Sequence, residues 1–166
     1  MANDMSEVLS TLNDLIETCK DSQEGFHSAA EKLKDSEVHT LFLKCYLQRS
    51  EFAGELQAEV TRIGGDPATS GSTLGAIHRG WVGLKTAIAA DSDYAILDEA
   101  EKGEEAALIN YIEALRTDLP SDLKSIVFRQ HHEIQQTHKA IRELLEKHRP
   151  FALQRAGKSL QYPFQR

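Results

Sequence analysis

Between residues 38 and 63 the apolar side chains keep the three-to-four spacing of a single helical face, through Val38, Phe42, Cys45, Phe52, Leu56 and Ile63, and in the middle of that stripe stands Arg49. A stripe of this length commits the segment to a helix packed against others, and a guanidinium on its inner face requires an opposite charge from a neighbour. The same periodicity recurs three times. Residues 6–34 carry Leu9, Leu12, Ile16, Cys19, Phe26, Ala30 and Leu33, with Ser6 as the expected N-cap. Residues 92–118 carry Leu97, Ala100, Glu104, Leu108, Tyr111 and Leu115. Residues 120–148 carry Leu123, Ile126, Val127, Ile134, Ile141, Leu144 and Leu145, with Gln130, His131, Thr137 and His138 on or beside the stripe.

Breaker residues separate these helices. Asp35-Ser36 divides the first from the second, Gly64-Gly65-Asp66-Pro67 ends the second, and Asp118-Leu119-Pro120 divides the last two, with Pro120 suited to a first helical turn. Two long helices joined by so short a turn must lie antiparallel. Residues 66–73 are a loop by composition. Leu74, Ile77, Trp81, Leu84 and Ile88 then trace a short helix of about 17 residues, too short to match the others and placed in a crossover that returns the chain for the third long helix. Sustained period-two alternation and hairpin dipeptides are lacking, so the expected fold is all-α. It is an antiparallel four-helix bundle with a short helix in the crossover between the second and third long helices.

The chain is 166 residues long, which suits one domain with a substantial core. Residues 1–148 form the expected bundle and residues 149–166 a distinct tail, with four basic residues, no acidic one, and the aromatics Phe151, Tyr162 and Phe164. The whole chain carries −7, which leaves −11 on the bundle. Such an acidic field argues against a nucleic-acid partner. No apolar run is long enough for a membrane span and the first residues lack a secretory pattern, so a cytoplasmic location without membrane attachment is expected. Cys19 and Cys45 lack metal or redox spacing and fall on core stripes, as reduced buried thiols would. The tail and Trp81, with Phe151, Tyr162 and Phe164, form the expected interaction surface for a second copy or another protein.

The polar residues interrupting the stripes are Cys19, Gln23, Arg49, Glu104, Gln130, Gln135 and His138, all toward the middle of their helices. In an antiparallel bundle midpoints meet. Bundles that hold two irons are built this way, from a carboxylate on each of two helices and a Glu-x-x-His pair on each of the other two. The segments Gly25-Phe26, Ala29-Ala30-Glu31, Asp35 and Leu41-Phe42 resemble the helix pair of rubrerythrin-like and ferritin-like proteins. Four further stretches are similar to a bacterial ferritin-like family known as domain of unknown function 2383. They are Leu12-Asn13-Asp14-Leu15-Ile16-Glu17, Phe52-Ala53-Gly54-Glu55-Leu56-Gln57 with Gly64-Gly65-Asp66-Pro67, Gly75-Ala76-Ile77-His78-Arg79-Gly80-Trp81, and Asp118-Leu119-Pro120. The resemblance covers about residues 8–147 and implies a ferritin-like four-helix fold with no established activity.

Placed against that resemblance, the di-iron pattern mostly fails. Arg49-Ser50-Glu51-Phe52 stands where Glu-x-x-His is implied, Cys19 where a carboxylate is implied, and Gln135-Gln136-Thr137-His138 where the second pair is implied. Glu104 and His138 are the surviving ligands. Arg49 brings a fixed positive charge to the place of a dication, and a guanidinium can satisfy a buried carboxylate with two hydrogen bonds. The expected site is therefore an Arg49–Glu104 ion pair in a polar network, with no metal, no cofactor and no catalysis, in a protein that acts by association. Two other functions follow from other readings of the same residues: an iron-dependent oxidase or peroxidase using Glu104, His138, Glu101 and Glu55, or a small-anion binder that uses Arg49.

Overall fold

The computed structural model describes residues 4–71, 81–151 and 153. Among them the chain is all-helical, with four long helices and one short one: α1 (Met5–Ala30), α2 (Ser36–Arg62), α3 (Leu84–Ala89), α4 (Asp93–Arg116) and α5 (Ser121–His148). The expected start of the crossover helix lies outside the described residues, and α3 is confined to its last turn and a half.

The helix ends follow from cap chemistry. The N-cap of α1 is Asp4, not Ser6: its carboxylate accepts from the Ser6 amide at 3.0 Å. A charged acceptor at the positive end of a helix is favoured over a hydroxyl. Asp35 caps α2 by accepting from the amides of Glu37 and Val38, which leaves Lys32–Lys34 outside the helix that was expected to reach residue 34. At the far end of α2, Gly64 adopts φ +86°, the left-handed conformation that closes a helix, and the Gly65 amide bonds back to the Val60 carbonyl. Pro120 sits just before α5 rather than in its first turn.

Side-chain bonds show which ends meet. The Asp93 carboxylate, at the start of α4, accepts from the amides of Lys34 and Asp35 in the α1–α2 turn. Asp35 also faces His148 at the end of α5 at 3.4 Å. At the opposite end Arg62 of α2 pairs with Asp122 of α5, and Asn13 of α1 is bonded to Asp66 and Ala68 just beyond α2.

The apolar interior consists of two clusters. One gathers Leu12, Leu15, Ile16, Phe52, Leu56, Tyr111, Val127 and Ile134, among others. The second gathers Phe26, Phe42, Cys45, Trp81, Ile96, Leu97 and Ile141. Each long helix passes from one to the other near its middle: Cys45 to Phe52 on α2, Ala100 to Ala107 on α4, Ile134 to Ile141 on α5. The polar residues lie at that junction.

Trp81 is 4% exposed, which corrects its assignment to an interaction surface. Its indole lies against Gly25 of α1 and Gly103 of α4, where an added Cβ at either position would overlap the ring, and it meets Phe26 edge-on at 4.9 Å between centroids. Two glycines on facing helices open a slot, and the largest apolar side chain in the sequence fills it. The crossover is further tied down by the Gly83 amide, which donates to the buried Glu99 carboxylate at 2.8 Å.

Candidate functional site

Arg49 projects inward because it lies four residues after Cys45 and three before Phe52, both buried. Glu104 occupies the equivalent place on α4, four residues after Ala100 and three before Ala107. Both side chains have no exposed surface. They meet in a two-pronged ion pair: Nη1 donates to Oε1 at 2.6 Å and Nη2 to Oε2 at 2.7 Å. Thr137 on α5 completes the triangle. Its hydroxyl accepts from Arg49 Nη2 at 3.1 Å and donates to Glu104 Oε2 at 2.7 Å. The Phe26 ring covers the guanidinium, 5.6 Å from centroid to Cζ. One group stays unmatched: Arg49 Nε is buried without a hydrogen-bond partner.

The charges stabilise each other. Burial by itself would lower the pKa of the guanidinium, and the adjoining Glu104 carboxylate overcomes that effect, so Arg49 holds its proton more tightly than in water. The pair is neutral as a unit, which is how two full charges persist in an apolar interior.

A second polar chain runs beside it. The Cys19 sulfur lies 3.0 Å from the Tyr111 hydroxyl, which donates to Gln130 Oε1 at 2.8 Å. The Gln130 amide in turn donates to the Phe52 carbonyl and to Glu55, which pairs with Arg129. Because the Tyr111 proton is directed to Gln130, the thiol is the donor between Cys19 and Tyr111. Burial pushes the Cys19 thiol up to about 11 and the Cys45 thiol up to about 12. Both remain protonated thiols at neutral pH and are 1% and 0% exposed, which removes them as nucleophiles.

The expected network is thus partly redrawn. Arg49, Glu104, Cys19 and Gln130 are buried in the seam, whereas Gln135 is exposed and takes no part. It follows Ile134 directly, so its side chain points about 100° away from the buried face. Thr137, three residues after Ile134, has the place instead, and Tyr111 enters through its hydroxyl rather than as a plain apolar residue. Their positions on the stripe were the available signal. Gln23 is only half-buried, with Oε1 lacking a partner, and does not reach Arg49 through any hydrogen bond.

His138 does not join Glu104 either. It points to the outer side of the α4–α5 contact, with Nε2 3.4 Å from Glu101 Oε1. The four residues grouped as a possible iron site are therefore dispersed: Glu104 on Arg49, Glu55 with Arg129 and Gln130, and Glu101 with His138. Among the described residues, one group of metal-ligating side chains converges, Glu101, Glu105 and His138, and it includes a carboxylate that sequence reasoning passed over. Of the expected surface residues, Phe151 is 70% exposed, and Tyr162 and Phe164 lie outside the described residues. No described helix is long and apolar enough to cross a membrane.

A family model described as "Domain of unknown function (DUF2383)" matches residues 7–117, so the matched span ends before α5 and is shorter than the resemblance read from the sequence. No curated protein matches the chain.

Proposed function

The chain belongs to the DUF2383 family, and from that premise we propose that its long helices form an antiparallel ferritin-like four-helix bundle, residues 1–148, in which an arginine–glutamate pair replaces the metal centre. We take it to be a non-catalytic cytoplasmic protein that works by association with a second copy or another protein. The observation that carries this reading is the Arg49–Glu104 pair, two-pronged and without exposed surface. A guanidinium already neutralises the one buried carboxylate of that seam, and its fixed charge repels a dication. The end contacts of the helices and the short α1–α2 and α4–α5 turns support the bundle arrangement. The small-anion reading loses support from the same geometry, since an incoming anion must displace a carboxylate held by both prongs of Arg49.

Association is supported by apolar side chains left on the outside of three long helices, Leu47 at 59% exposure, Ile109 at 56% and Phe128 at 63%. The basic, aromatic segment 149–166 adds a complement to an acidic bundle. Anaerobic titration of the chelator-free protein with ferrous iron tests the core. Two ferrous ions bound per chain, the complement of a di-iron centre, would overturn the reading. Sedimentation velocity tests association: the full chain is expected to self-associate and a chain lacking residues 149–166 to dissociate. A full chain that stays monomeric across the concentration range and retains no partner would refute it.

A further inference from the structure

We propose that Glu101, Glu105 and His138 form a peripheral site for one divalent first-row transition-metal ion, bridging α4 and α5 outside the buried ion pair. One ligand atom from each lies within 4.8 Å of the others. Glu101 and Glu105 are four residues apart on α4, so their carboxylates share a face, and His138 approaches from α5. The three residues directly flank the core: Glu104 lies between the two glutamates, and Thr137 precedes His138.

Two observations point to a ligand rather than a chance meeting of surface charges. His138 Nε2 is a buried nitrogen without a hydrogen-bond partner, on a side chain 15% exposed, and it is directed at Glu101. Glu105 brings a second negative charge to the same point and has no hydrogen bond or ion pair among the described residues. The neighbouring cation is Arg142, whose Nε is 3.5 Å from Glu101 Oε1 on a side chain 65% exposed. So loose a pair is worth little and yields readily.

An imidazole nitrogen with two carboxylates suits zinc, manganese, ferrous iron or cobalt and disfavours calcium and magnesium, which select all-oxygen shells. Bonds of about 2.0–2.1 Å place ligand atoms roughly 3.3 Å apart in a tetrahedral shell. His138 Nε2 and Glu101 Oε1 already stand 3.4 Å apart, and the spacings to Glu105, at most 4.8 Å, must contract by up to about 1.5 Å. Glu105 is exposed and can supply that movement by a rotamer change. Water completes the shell. This site is independent of the association reading and of the core pair.

The test is titration of the chelator-treated full chain with Zn²⁺ by calorimetry and with Co²⁺ by its visible spectrum, in the presence of excess Mg²⁺. One ion per chain is expected, with affinity falling at least about tenfold in His138→Ala and in Glu105→Gln and unchanged in Glu113→Gln, an exposed glutamate elsewhere on α4. Thermal unfolding should rise on adding Zn²⁺ to the parent chain and not to His138→Ala. Absence of binding, or binding equal in all three variants, would overturn the site. Metal that survives in His138→Ala and Glu105→Gln at two ions per chain would instead implicate the core.

Discussion

Replacing Glu104 by alanine is the perturbation that bears most directly on the seam. The change removes hydrogen bonds of 2.6 and 2.7 Å from Arg49 and a third from Thr137, and strands a guanidinium that has no exposed surface. Leaving one partner of a buried pair uncompensated costs about 3–5 kcal/mol. In a domain of this length a loss of 1 kcal/mol lowers Tm by about 2–4 °C, so the variant should melt roughly 6–20 °C below the parent. Urea unfolding at pH 7, followed by far-ultraviolet circular dichroism, measures the same difference. Because total stability of such domains is about 5–15 kcal/mol, a fully unfolded Glu104→Ala would be uninformative alone, and the double variant Arg49→Met, Glu104→Leu supplies the control. Removing both charges while filling their volume should return stability to within about 1 kcal/mol of the parent, or above it. The reasoning fails if the double variant is as unstable as Glu104→Ala, or if Glu104→Ala costs less than about 1 kcal/mol, the range of an exposed pair such as Lys147–Glu37.

Two further outcomes follow from the same interior. Gly103→Ala should lower Tm, because its Cβ overlaps the Trp81 ring and overpacking of about 1–3 kcal/mol exceeds the helix-propensity gain, whereas Gly54→Ala, with no atom within 4 Å of the added Cβ, should raise stability by about 0.8–1 kcal/mol. Differential scanning calorimetry of the two variants decides it, and a stabilised Gly103→Ala would refute the Trp81 placement. Stability should also fall as pH rises above about 9. The thiols of Cys19 and Cys45 titrate near the ordinary 9.0 when unfolded but near 11 and 12 when folded, so between those values the unfolded chain binds fewer protons. The contribution is complete below pH 9 and is lost at up to about 1.4 kcal/mol per pH unit for each thiol. Denaturant midpoints in the parent and in Cys19→Ala, Cys45→Ala across pH 8–10, below the range in which the buried Tyr111 hydroxyl adds a loss of the same sign, isolate that slope, which the double variant should lack.

Helical periodicity carried most of the architecture, because a stripe at three-to-four spacing can be buried only as a helix face. It also located Arg49 and Glu104 on inner faces, and charge required that they meet. What it missed was finer than the period itself. Gln135 and His138 lie within one residue of buried Ile134 and Thr137, and that single step rotates a side chain out of the seam. Glu105 was legible only as one of a run of charges, since the histidine it faces stands on the next helix and helical spacing within α4 does not show which face meets α5. Trp81 stood on the crossover stripe, which marked it for packing, but where it packs was not legible, because its slot is made by what Gly25 and Gly103 lack and missing side chains leave no periodic trace.

The slot has a spectroscopic consequence. Trp81 is the single tryptophan of the chain, and it contacts α1 and α4 at once. Its fluorescence therefore reports one event, the seating of the crossover between those two helices, while circular dichroism reports helix content everywhere. Since the indole fills the space between α1 and α4 at Gly25 and Gly103, the two signals followed after rapid dilution from denaturant separate helix formation from the filling of that gap.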